Sequence, residues 1–558
     1  MANLTPITAE QAGGPWDDIP TDAMLTLESP TRGTGRIPQN LIPSFSNFLN
    51  GAVDIGLATD AMADGSSAAL LAAILGSTLH HDPANNCHDI CSYPGSTLNA
   101  KWEAACVAMD TQRPKVIVIR RPYANEPGAR NVTGRGWMWD LTAPLTFDDP
   151  CSLAHIYIYG GLTCDPAGSA VTAALHFSPT SKTEDINIYT QVSIYGADKM
   201  TQGILIDGGA RIFFDSGSRI VGCNGPGIYM SGVHAEGTND CDLGHVVSAQ
   251  NRGPAVYING TAHQIRDTWI TKIHEQGTPT TGTQAAHALH VAGIVRGFKV
   301  GKVKLSAAAT GIGAPTGAIC YIEATTAGIP QFDMEIGSIH QDGQNNTALE
   351  TSKGTYTGST KITGLKLGRS YSSSGSTDVA LSWVDECDLS NIRYGAILID
   401  AALCDVVRIR NSDKATLTIT WPTDGSETLQ LWQDGVYTCT KTTTSSTANR
   451  ARCFTVPVPA KFETACILDI LCSGTSGESL YSGSFRLRPT VTGSLISSTI
   501  QGGANCTAHS ARADLTGAPT GLAGNIVHSV EGSAGVMKLH LENNTGNSRT
   551  LSLTLRGC

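Results

Sequence analysis

The sequence predicts an all-β protein built mainly on a parallel β-helix, a fold in which each turn of the chain, or rung, stacks on the one before. A pattern of two apolar residues separated by two others returns along the middle of the chain: Leu243 and Val246, Ile270 and Ile273, Val300 and Val303, Ile336 and Ile339, Ile362 and Leu365, Leu389 and Ile392, and Val406 and Ile409. A second pattern precedes it in the first rungs: GILIDG from Gly203, GIYMSG from Gly227, AVYING from Ala255, ALHVAG from Ala288 and AICYIE from Ala318. Short repeated β-rich units that cannot bury a core alone are typical of solenoids.

The composition fits such a fold and restricts its partners. Of the 558 residues, 60 are glycine, which suits a chain that turns several times in each rung, and 41% are hydrophobic, which is enough to bury a core. The net charge of −10 at pH 7 argues against general binding to nucleic acid or to an anionic membrane. The first residues show neither the basic segment nor the apolar segment of a secretory signal peptide. The longest apolar stretch, near 68–75, is too short to span a bilayer. We therefore expect no signal peptide, no membrane insertion and no nucleic acid partner.

The first part of the chain predicts two helices and a strand in a fixed order. Residues 1–55 contain scattered Pro and Gly in a weakly patterned stretch, and we interpret them as an extended arm or a small attachment module. An Asp or Ser can cap a short apolar helix over 68–75. A second helix is predicted over 98–109, where Leu98 and Trp102 share one apolar face, and the segment KVIVIR at 115–120 is predicted as a buried strand.

The C-terminal part of the chain shows a different sequence pattern from the rungs. Rungs are expected from about residue 153 to residue 411. Beyond residue 415, alternating strands are separated by turn residues, which predicts an antiparallel β-sandwich over 416–558.

The order of a capped helix after an Asp-Gly, a second helix and a strand leading into rungs resembles the head of bacteriophage tailspike proteins. In that family a helical cap closes the first turn of a right-handed, single-stranded parallel β-helix, since an uncovered end would expose unpaired strand edges and core. The resemblance covers residues 55–415 and implies a cap over 56–145, a β-helix over 146–415 and a C-terminal sandwich used for trimerisation or glycan binding. It further implies a homotrimeric virion protein that attaches to other virion proteins through its arm and contacts bacterial surface polysaccharide.

One column of the predicted rungs is a candidate glycan-binding surface. The residue after the second apolar member is basic or imidazole in six of the seven rungs: His274, Lys304, His340, Lys366, Arg393 and Arg410. Strand alternation places this column outward, and rungs about 4.8 Å apart would bring like charges together unless an anionic glycan, another subunit or nearby acidic residues neutralise them. Trp269, just before a first apolar member, could stack on a sugar ring. The alternative is that outward strand positions simply tolerate Lys and Arg, which also blunt sheet edges.

Catalysis is a second, open possibility. Glycoside hydrolysis needs two carboxyl groups about 5–9 Å apart, and the candidates near the basic column are Asp333, Glu335, Asp342, Glu275 and Asp267. β-Elimination with a His or Lys base is the alternative chemistry. Most surface carboxylates are merely solvated, and the motifs of polygalacturonases are absent as an ordered series. A non-enzymatic fibre, decoration or adhesin protein therefore stays open, and no cofactor is expected.

Cysteine and histidine residues suggest one more site. His80, His81, Cys87, His88 and Cys91 fall within twelve residues, which fits a zinc site, a disulfide between the two cysteines or a plain loop. Because no second matching pair lies nearby, we predict no metal. The rung cysteines Cys241, Cys387 and Cys404 are predicted as buried thiols that act as small hydrophobic residues.

Overall fold

The computed structural model describes residues 86–434, together with the backbone of strands between 24 and 38 and between 436 and 556. The gaps within 86–434 are 110–112, 178–183, 236, 280–286, 307–311, 314–316, 326–332, 343–345, 372–376, 394, 413–414 and 421–428. The chain divides into a first unit, Met1–Ile228 with Thr238–Val246, and a second unit, Tyr229–Gly237 with Val247–Cys558. Each unit is described by itself below.

The first unit is a parallel β-helix whose strands form three ladders. Ladder A contains Leu145–Phe147, Leu175–Phe177 and Ile204–Ile206. Ladder B contains Cys87–Asp89, Lys115–Ile119, Ala154–Ile158, Glu184–Ile188, Gly209–Phe214 and Thr238–Asp242. Ladder C contains Gly136–Leu141, Gly161–Cys164, Val192–Tyr195 and Ser218–Val221, and its first strand also pairs antiparallel with Ala129–Val132. The strands Ile228–Ser231 and His245–Ala249 straddle the division between the units.

Helix α1, Leu98–Ala108, caps the first unit as the sequence predicted. Thr97 is its N-cap, and the Thr97 hydroxyl accepts a hydrogen bond from the backbone N–H of Ala100 at 3.2 Å. Trp102 packs on Phe147 with ring centroids 4.9 Å apart, and Phe147 stacks in turn on Phe177 at 4.8 Å. The helix therefore covers the first strand of ladder A. The other predicted helix, over 68–75, lies outside the described residues.

Replacing Trp102 with alanine is expected to destabilise the first unit by about 3–5 kcal/mol. The side chain is 3% exposed, and its indole N–H donates to the carbonyl of Thr146 at 2.9 Å, so truncation leaves both a cavity and an unpaired acceptor. Urea unfolding followed by tryptophan fluorescence and circular dichroism measures the loss. Val107→Ala is the matched control in the same helix, since Val107 is 90% exposed. Equal stability of the two variants would contradict the capping role.

The second unit is also a parallel β-helix, described here by two of its ladders. Ladder D contains the first part of Val256–Glu275, then Leu289–Arg296, Cys320–Glu323, Leu349–Ser352, Thr377–Leu381, Ala396–Asp400 and Thr416–Thr420. Ladder E contains the last part of Val256–Glu275, then Lys299–Leu305, Glu335–Gln341, Leu365–Leu367 with Ser370–Tyr371, Val384–Ser390 with Ile392–Arg393, Cys404–Arg410 and Gln430–Gln433. Short strands at Thr278–Pro279 and Ile312–Gly313 pair antiparallel. Apolar side chains alternate inward along these strands, so the core runs inside the rungs.

The strand Val256–Glu275 serves both ladders because it bends sharply near Gly260. Its pairing with Leu289–Arg296 shifts register between Gly260 and Ile265. Opposite the bend, Gly293 has a φ of +80°, and a Cβ there would lie 2.4 Å from the carbonyl carbon of Gly260. Glycine is required at this point because the two backbones approach too closely for a side chain.

The rungs begin earlier and end later than the sequence predicted. Parallel pairing is present from Cys87–Asp89 with Lys115–Ile119, not from residue 153. Two strands that we assigned to the sandwich, Thr416–Thr420 and Gln430–Gln433, pair parallel with the preceding rungs, so that assignment was wrong. Alternation along a half-buried strand does not reveal the direction of its neighbour.

From residue 436 onward the pairing is almost entirely antiparallel. One sheet contains Val436–Thr443, Arg549–Arg556, Cys466–Ser473, Tyr481–Pro489 and Leu495–Gln501. Another contains Arg450–Pro457, Val536–Asn543, Ile526–Ser533 and Cys506–Ala508. Two such sheets are the components of a sandwich, whose face-to-face packing stays a prediction. Within the predicted arm, Met24–Ser29 and Gly33–Pro38 form a hairpin.

Candidate functional site

The predicted basic column lies on ladder E and is partly confirmed by the strand register. His274, Lys304 and His340 occupy equivalent positions in three successive rungs. Tyr371 follows them, and Arg393 follows Tyr371. His274 bonds to the hydroxyl of Ser306 at 2.7 Å, His340 packs edge-on against Tyr371, and Arg393 lies 5.9 Å from the Tyr371 ring centroid.

The positions predicted for Lys366 and Arg410 in this column were wrong. Ile336 aligns with Leu367, and Ile339 aligns with Ser370. The two inward residues of that rung are therefore Leu367 and a buried serine, and a search for two apolar residues does not find them. Arg410 aligns with Ser390. The sequence patterns align Ile409 with Ile392, but Ile409 pairs with Leu389, three residues earlier. The glycan-binding role of the two side chains stays a prediction.

A second column of ladder E alternates in charge between two tryptophans. In rung order it contains Trp269, Lys299, Glu335, Lys366, Asp388, Arg408 and Trp432. Lys299 lies 3.7 Å from Glu335, and Arg408 lies 3.4 Å from Asp388. The column therefore contains three cationic side chains and two carboxylates, and Trp269 at its end is 57% exposed and accessible to a ligand.

Among the predicted catalytic carboxylates, Asp333 and Glu335 lie two residues apart at the start of one strand, whereas Glu335 and Asp342 lie at its opposite ends. Glu335 begins a strand and Asp342 follows its end, which separates their backbones by about 20 Å. Asp342 bonds to Lys304 at 2.9 Å and lies 3.6 Å from His340; the hydrogen bond from Lys304 lowers the pKa of Asp342, so this carboxyl is ionised. Asp333 is exposed at a turn with a φ of +51°.

Glu275 differs from the other candidates because it points into the core. It is 2% exposed, and burial raises its pKa to about 8 although Ser248 and two backbone N–H groups, those of Gln276 and Gly277, bond to it. A side chain inside the rungs has no access to a polymer. Asp267, on the same strand, occupies a left-handed bend with a φ of +48°.

A different surface, the outer face of ladder D, concentrates the chemistry of the second unit. Tyr229, Tyr257, His290 and Tyr321 follow one another in neighbouring rungs with centroids 5.1, 4.3 and 5.2 Å apart. Tyr257 and His290 are nearly parallel, at 8°. The His287 ring stacks on the Tyr321 ring with centroids 4.8 Å apart. The Nδ1 atom of His287 bonds to the carbonyl of Ala318 at 2.7 Å. Because the rings cover each other's faces, their edges and polar tips line the outer surface; we call this the aromatic face.

Two carboxyl groups lie at one end of the aromatic face. Tyr321 pairs with Glu350 across the ladder and Glu323 pairs with Ser352, so the two glutamates are diagonal neighbours on the same side. A rung spacing of about 4.8 Å and two residues of about 3.3 Å place their Cα atoms about 8 Å apart. The two side chains therefore leave the ladder on the same face from neighbouring rungs, as the paired carboxyl groups of a glycosidase must.

The environments of these two glutamates differ. Burial raises the pKa of Glu350, which favours the protonated acid. Glu323 Oε1 is in hydrogen-bond contact with His290 Nε2 at 3.0 Å. The hydroxyl of Tyr321 bonds to both Glu323 and Ser352, and burial is the main reason that its pKa is raised. A carboxyl group whose burial favours the proton, beside a second carboxyl group in contact with an imidazole, is an arrangement that suits general acid–base catalysis.

The aromatic face escaped sequence reasoning although its signal was visible. The tyrosine or histidine recurs in GIYMSG, AVYING, ALHVAG and AICYIE, where we used only the repetition. Glu350 lies in no such repeat, since the rung containing ALETS replaces the aromatic residue by a carboxylate. Glu323 and Glu350 are diagonal neighbours only because of the register between their two strands. The loops between rungs differ in length, so the sequence does not give this register.

The predicted histidine–cysteine site is only partly described. His80 and His81 lie outside the described residues. His88 bonds through Nδ1 to the Tyr93 hydroxyl at 2.6 Å and through Nε2 to Asn86 at 2.8 Å, and burial raises the pKa of the Cys91 thiol to about 12. The segment is the strand Cys87–Asp89 followed by the 3-10 turn Ile90–Ser92, and Cys87 and Cys91 are free thiols, not a disulfide. The thiols of Cys241, Cys387 and Cys404 are buried as predicted.

Comparison with known proteins gives low similarity. No protein-family model matches the chain, and no curated protein sequence matches it. The tailspike protein gp49 of Acinetobacter baumannii bacteriophage Fri1, a capsular polysaccharide depolymerase, is 7% identical with a TM-score of 0.22, covering 82% of this chain and 81% of its own. The tailspike protein of Acinetobacter phage vB_ApiP_P1 is 11% identical with a TM-score of 0.18, covering 84% and 87%. Both belong to the class that the sequence resembles, and at these values the function has to be inferred from this chain's own residues.

One further feature concerns membranes. Within the described part of the chain, no helix has the length and apolar character needed to cross a bilayer.

Proposed function

We propose that this chain binds a bacterial surface polysaccharide on its second unit and hydrolyses it at Glu323 and Glu350. The observation that carries the proposal is the diagonal placement of the two glutamates beside the aromatic face, with burial raising the pKa of Glu350 and with Glu323 in hydrogen-bond contact with His290. The virion location and the homotrimer implied by the tailspike resemblance belong to the same proposal.

In the proposed reaction Glu350 is the general acid and Glu323 the general base. Glu350 donates its proton to the glycosidic oxygen, while Glu323 removes a proton from the attacking water. His290 and the Tyr321 hydroxyl hold Glu323 in place through hydrogen bonds. The products are one reducing end and one non-reducing end, and direct attack by a water molecule that a general base activates predicts inversion at the anomeric carbon.

The aromatic face supplies the binding surface next to this pair. Burial raises the pKa of Tyr257 to about 12, so its hydroxyl remains a hydrogen-bond donor at neutral pH. Phenol and imidazole tips on successive rungs form a row of hydrogen-bonding groups that suits the hydroxyl groups of a sugar chain. Trp269, His274, Lys304, His340, Lys366, Arg393 and Arg410 remain proposed glycan contacts on ladder E.

Incubation with purified capsular polysaccharides tests the proposal. Gel filtration of the polymer is expected to show shortened chains, nuclear magnetic resonance an inverted anomeric proton, and ultraviolet absorbance no unsaturated product. Shortened chains with new absorbance would replace hydrolysis by β-elimination. Intact polymer that nevertheless binds would instead identify an adhesin or structural fibre.

Binding through ladder E gives a separate prediction. Trp269→Ala is expected to weaken affinity for the polymer at least about fivefold, because exposed aromatic side chains are frequent binding hot spots. The unfolding free energy should be unchanged, since the side chain is 57% exposed. Val233→Ala, which alters another exposed hydrophobic residue of the second unit, is the control for isothermal calorimetry with the same polymer. Unchanged affinity of the Trp269 variant would remove this end of ladder E from the binding surface.

A further inference from the structure

The first unit neutralises some of its arginines within the chain and leaves a group of three without a carboxylate. The neutralised ones form ion pairs with N–O distances between 2.5 and 3.1 Å: Arg120 with Glu126, Arg130 with Asp140 and Asp165, and Arg211 with Asp185 and Glu184. Arg121, Arg135 and Arg219 form no ion pair with any residue that the structure describes. We call these three the arginine cluster.

A tight hairpin turn holds Arg135 over an aromatic ring. The turn follows the strand Ala129–Val132, and the backbone N–H of Arg135 donates to the carbonyl of Val132 at 2.9 Å. The Arg135 guanidinium lies 4.8 Å from the centroid of the Tyr195 ring. Stacking on a ring orients a guanidinium group and leaves its N–H edge available to a ligand.

The other two guanidinium groups reach this turn from different segments. Arg219 pairs with Ser193, two residues before Tyr195, so Arg219 and Tyr195 are diagonal neighbours on the outer face of ladder C. Their Cα atoms are about 8 Å apart. Arg121 follows the second strand of ladder B, and its Nη2 atom lies 2.9 Å from the place that a Cβ on Gly136, the residue next to Arg135, would occupy. Three cationic side chains from three segments therefore flank the hairpin turn.

The arginine cluster carries positive charge that the chain does not compensate. Partial desolvation and, after it, repulsion from Arg219 lower the pKa of Arg135. Carboxylates are in excess in this chain of net charge −10, but Asp140, on the same hairpin, is bound to Arg130. Guanidinium groups bind carboxylate and phosphate groups through parallel hydrogen bonds. An oxyanion from outside the chain would supply the partner that the fold does not provide.

We propose that Arg121, Arg135 and Arg219 bind an oxyanion, a carboxylate or phosphate group, of an acidic polysaccharide. Arg135 and Arg219 are exposed and the three side chains come from separate segments, so the site is an open surface that a polymer can reach. The partly exposed Tyr195 ring beside them offers apolar surface to a sugar ring. This site belongs to the first unit, whereas the proposed reaction uses glutamates of the second.

Calorimetry of the full-length protein at low ionic strength tests the proposal with two probes. Inorganic phosphate represents a free anion, and polygalacturonate represents an acidic polysaccharide. We expect polygalacturonate to bind about tenfold more tightly than phosphate, because one chain can contact several guanidinium groups at once. Arg135→Gln and Arg219→Gln should each weaken polygalacturonate binding about tenfold, the usual effect of losing hydrogen bonds to a charged group. Added salt should weaken the wild-type interaction.

Arg211→Gln is the matched control for net charge. It removes the same charge from the first unit, but from an arginine that already pairs with Asp185, so its affinity should stay within about twofold of wild type. Circular dichroism should show Arg135→Gln and Arg219→Gln folded like wild type, since both side chains are exposed.

Three results would overturn the proposal. They are unchanged polygalacturonate affinity in Arg135→Gln, an equal loss in Arg211→Gln, or binding of phosphate without binding of the polymer. The first would place any bound polymer elsewhere, the second would reduce the effect to net charge, and the third would make the ligand a small free anion. None of these measurements requires cleavage, so failure of the proposed reaction at Glu323 and Glu350 would leave this test unaffected.

Discussion

Glu350→Gln is expected to lower the rate of polymer cleavage by about 10²–10⁴-fold while leaving polymer binding intact. Glutamine keeps the size of the side chain but cannot donate a proton to the leaving oxygen. The residue is partly buried and its pKa is raised by that burial, so the wild-type protein holds this proton at a pH where an ordinary glutamate has lost it. Reducing-end release measures the rate, and calorimetry with the uncut polymer measures binding.

The pH profile gives this prediction a second measurement. In the wild-type protein the alkaline limb of kcat should lie above the ordinary pKa of glutamate, 4.5, because Glu350 must remain protonated. That limb should disappear from any residual activity of Glu350→Gln.

Glu335→Gln is the matched control, because Glu335 is an exposed carboxylate in the charge-alternating column and lies 3.7 Å from Lys299. It should retain activity within about twofold, as surface ion pairs contribute little. If Glu335→Gln loses activity and Glu350→Gln does not, the catalytic pair has been placed on the wrong ladder.

Tyr321→Phe separates hydrolysis from β-elimination. In hydrolysis the hydroxyl only holds Glu323, so its loss should reduce kcat modestly, as expected for one hydrogen bond. In an elimination the same hydroxyl would be positioned to transfer a proton, and its loss would abolish the unsaturated product. Hydrolysis therefore predicts that Glu350→Gln is inactive and that Tyr321→Phe keeps most of its activity, whereas β-elimination predicts that Tyr321→Phe is inactive.

The sequence predicted the parallel β-helix correctly, but it did not predict the residues at which the rungs begin and end. Inward residues of a rung are apolar, and their repetition marks parallel stacking, as the aligned pairs Ile270 with Val300 and Val300 with Ile336 confirm. The sequence failed where an inward position is not apolar. Ser370 is fully buried opposite Ile339, so the search for two apolar residues chose Leu365 in place of Leu367 and moved Lys366 into a column where it does not belong.

The candidate site was less predictable, because it depends on register between strands. Glu323 and Glu350 are separated by a loop, and a shift of one residue would turn Glu350 toward the core. The basic column instead drew attention because its charges are conspicuous. The structure shows Asp342 between Lys304 and His340, which satisfies much of that charge within the chain.

Glu275→Gln is expected to remove most of the pH dependence of stability in the second unit. The folded protein holds this buried carboxyl with a pKa of about 8, whereas the ordinary value is 4.5. As pH rises between these values, the unfolded chain loses the proton while the folded chain keeps it. Stability therefore falls with rising pH over this window and levels off above about pH 8, where both states are ionised. The largest loss would be about 5 kcal/mol.

The slope against pH, and not the stability at one pH, is the measurement that isolates this effect. Glutamine can still accept the hydrogen bond that the Gly277 N–H donates to Glu275 at 3.0 Å, so a small constant difference between variant and wild type is expected at low pH. Urea unfolding from pH 5 to pH 9, with hydrogen exchange followed over residues 270–277, should give a flatter curve for Glu275→Gln and an unchanged curve for Glu335→Gln. A parallel slope in wild type and Glu275→Gln would mean that this carboxyl is ionised when folded. The interior of the rung would then have to contain a compensating charge.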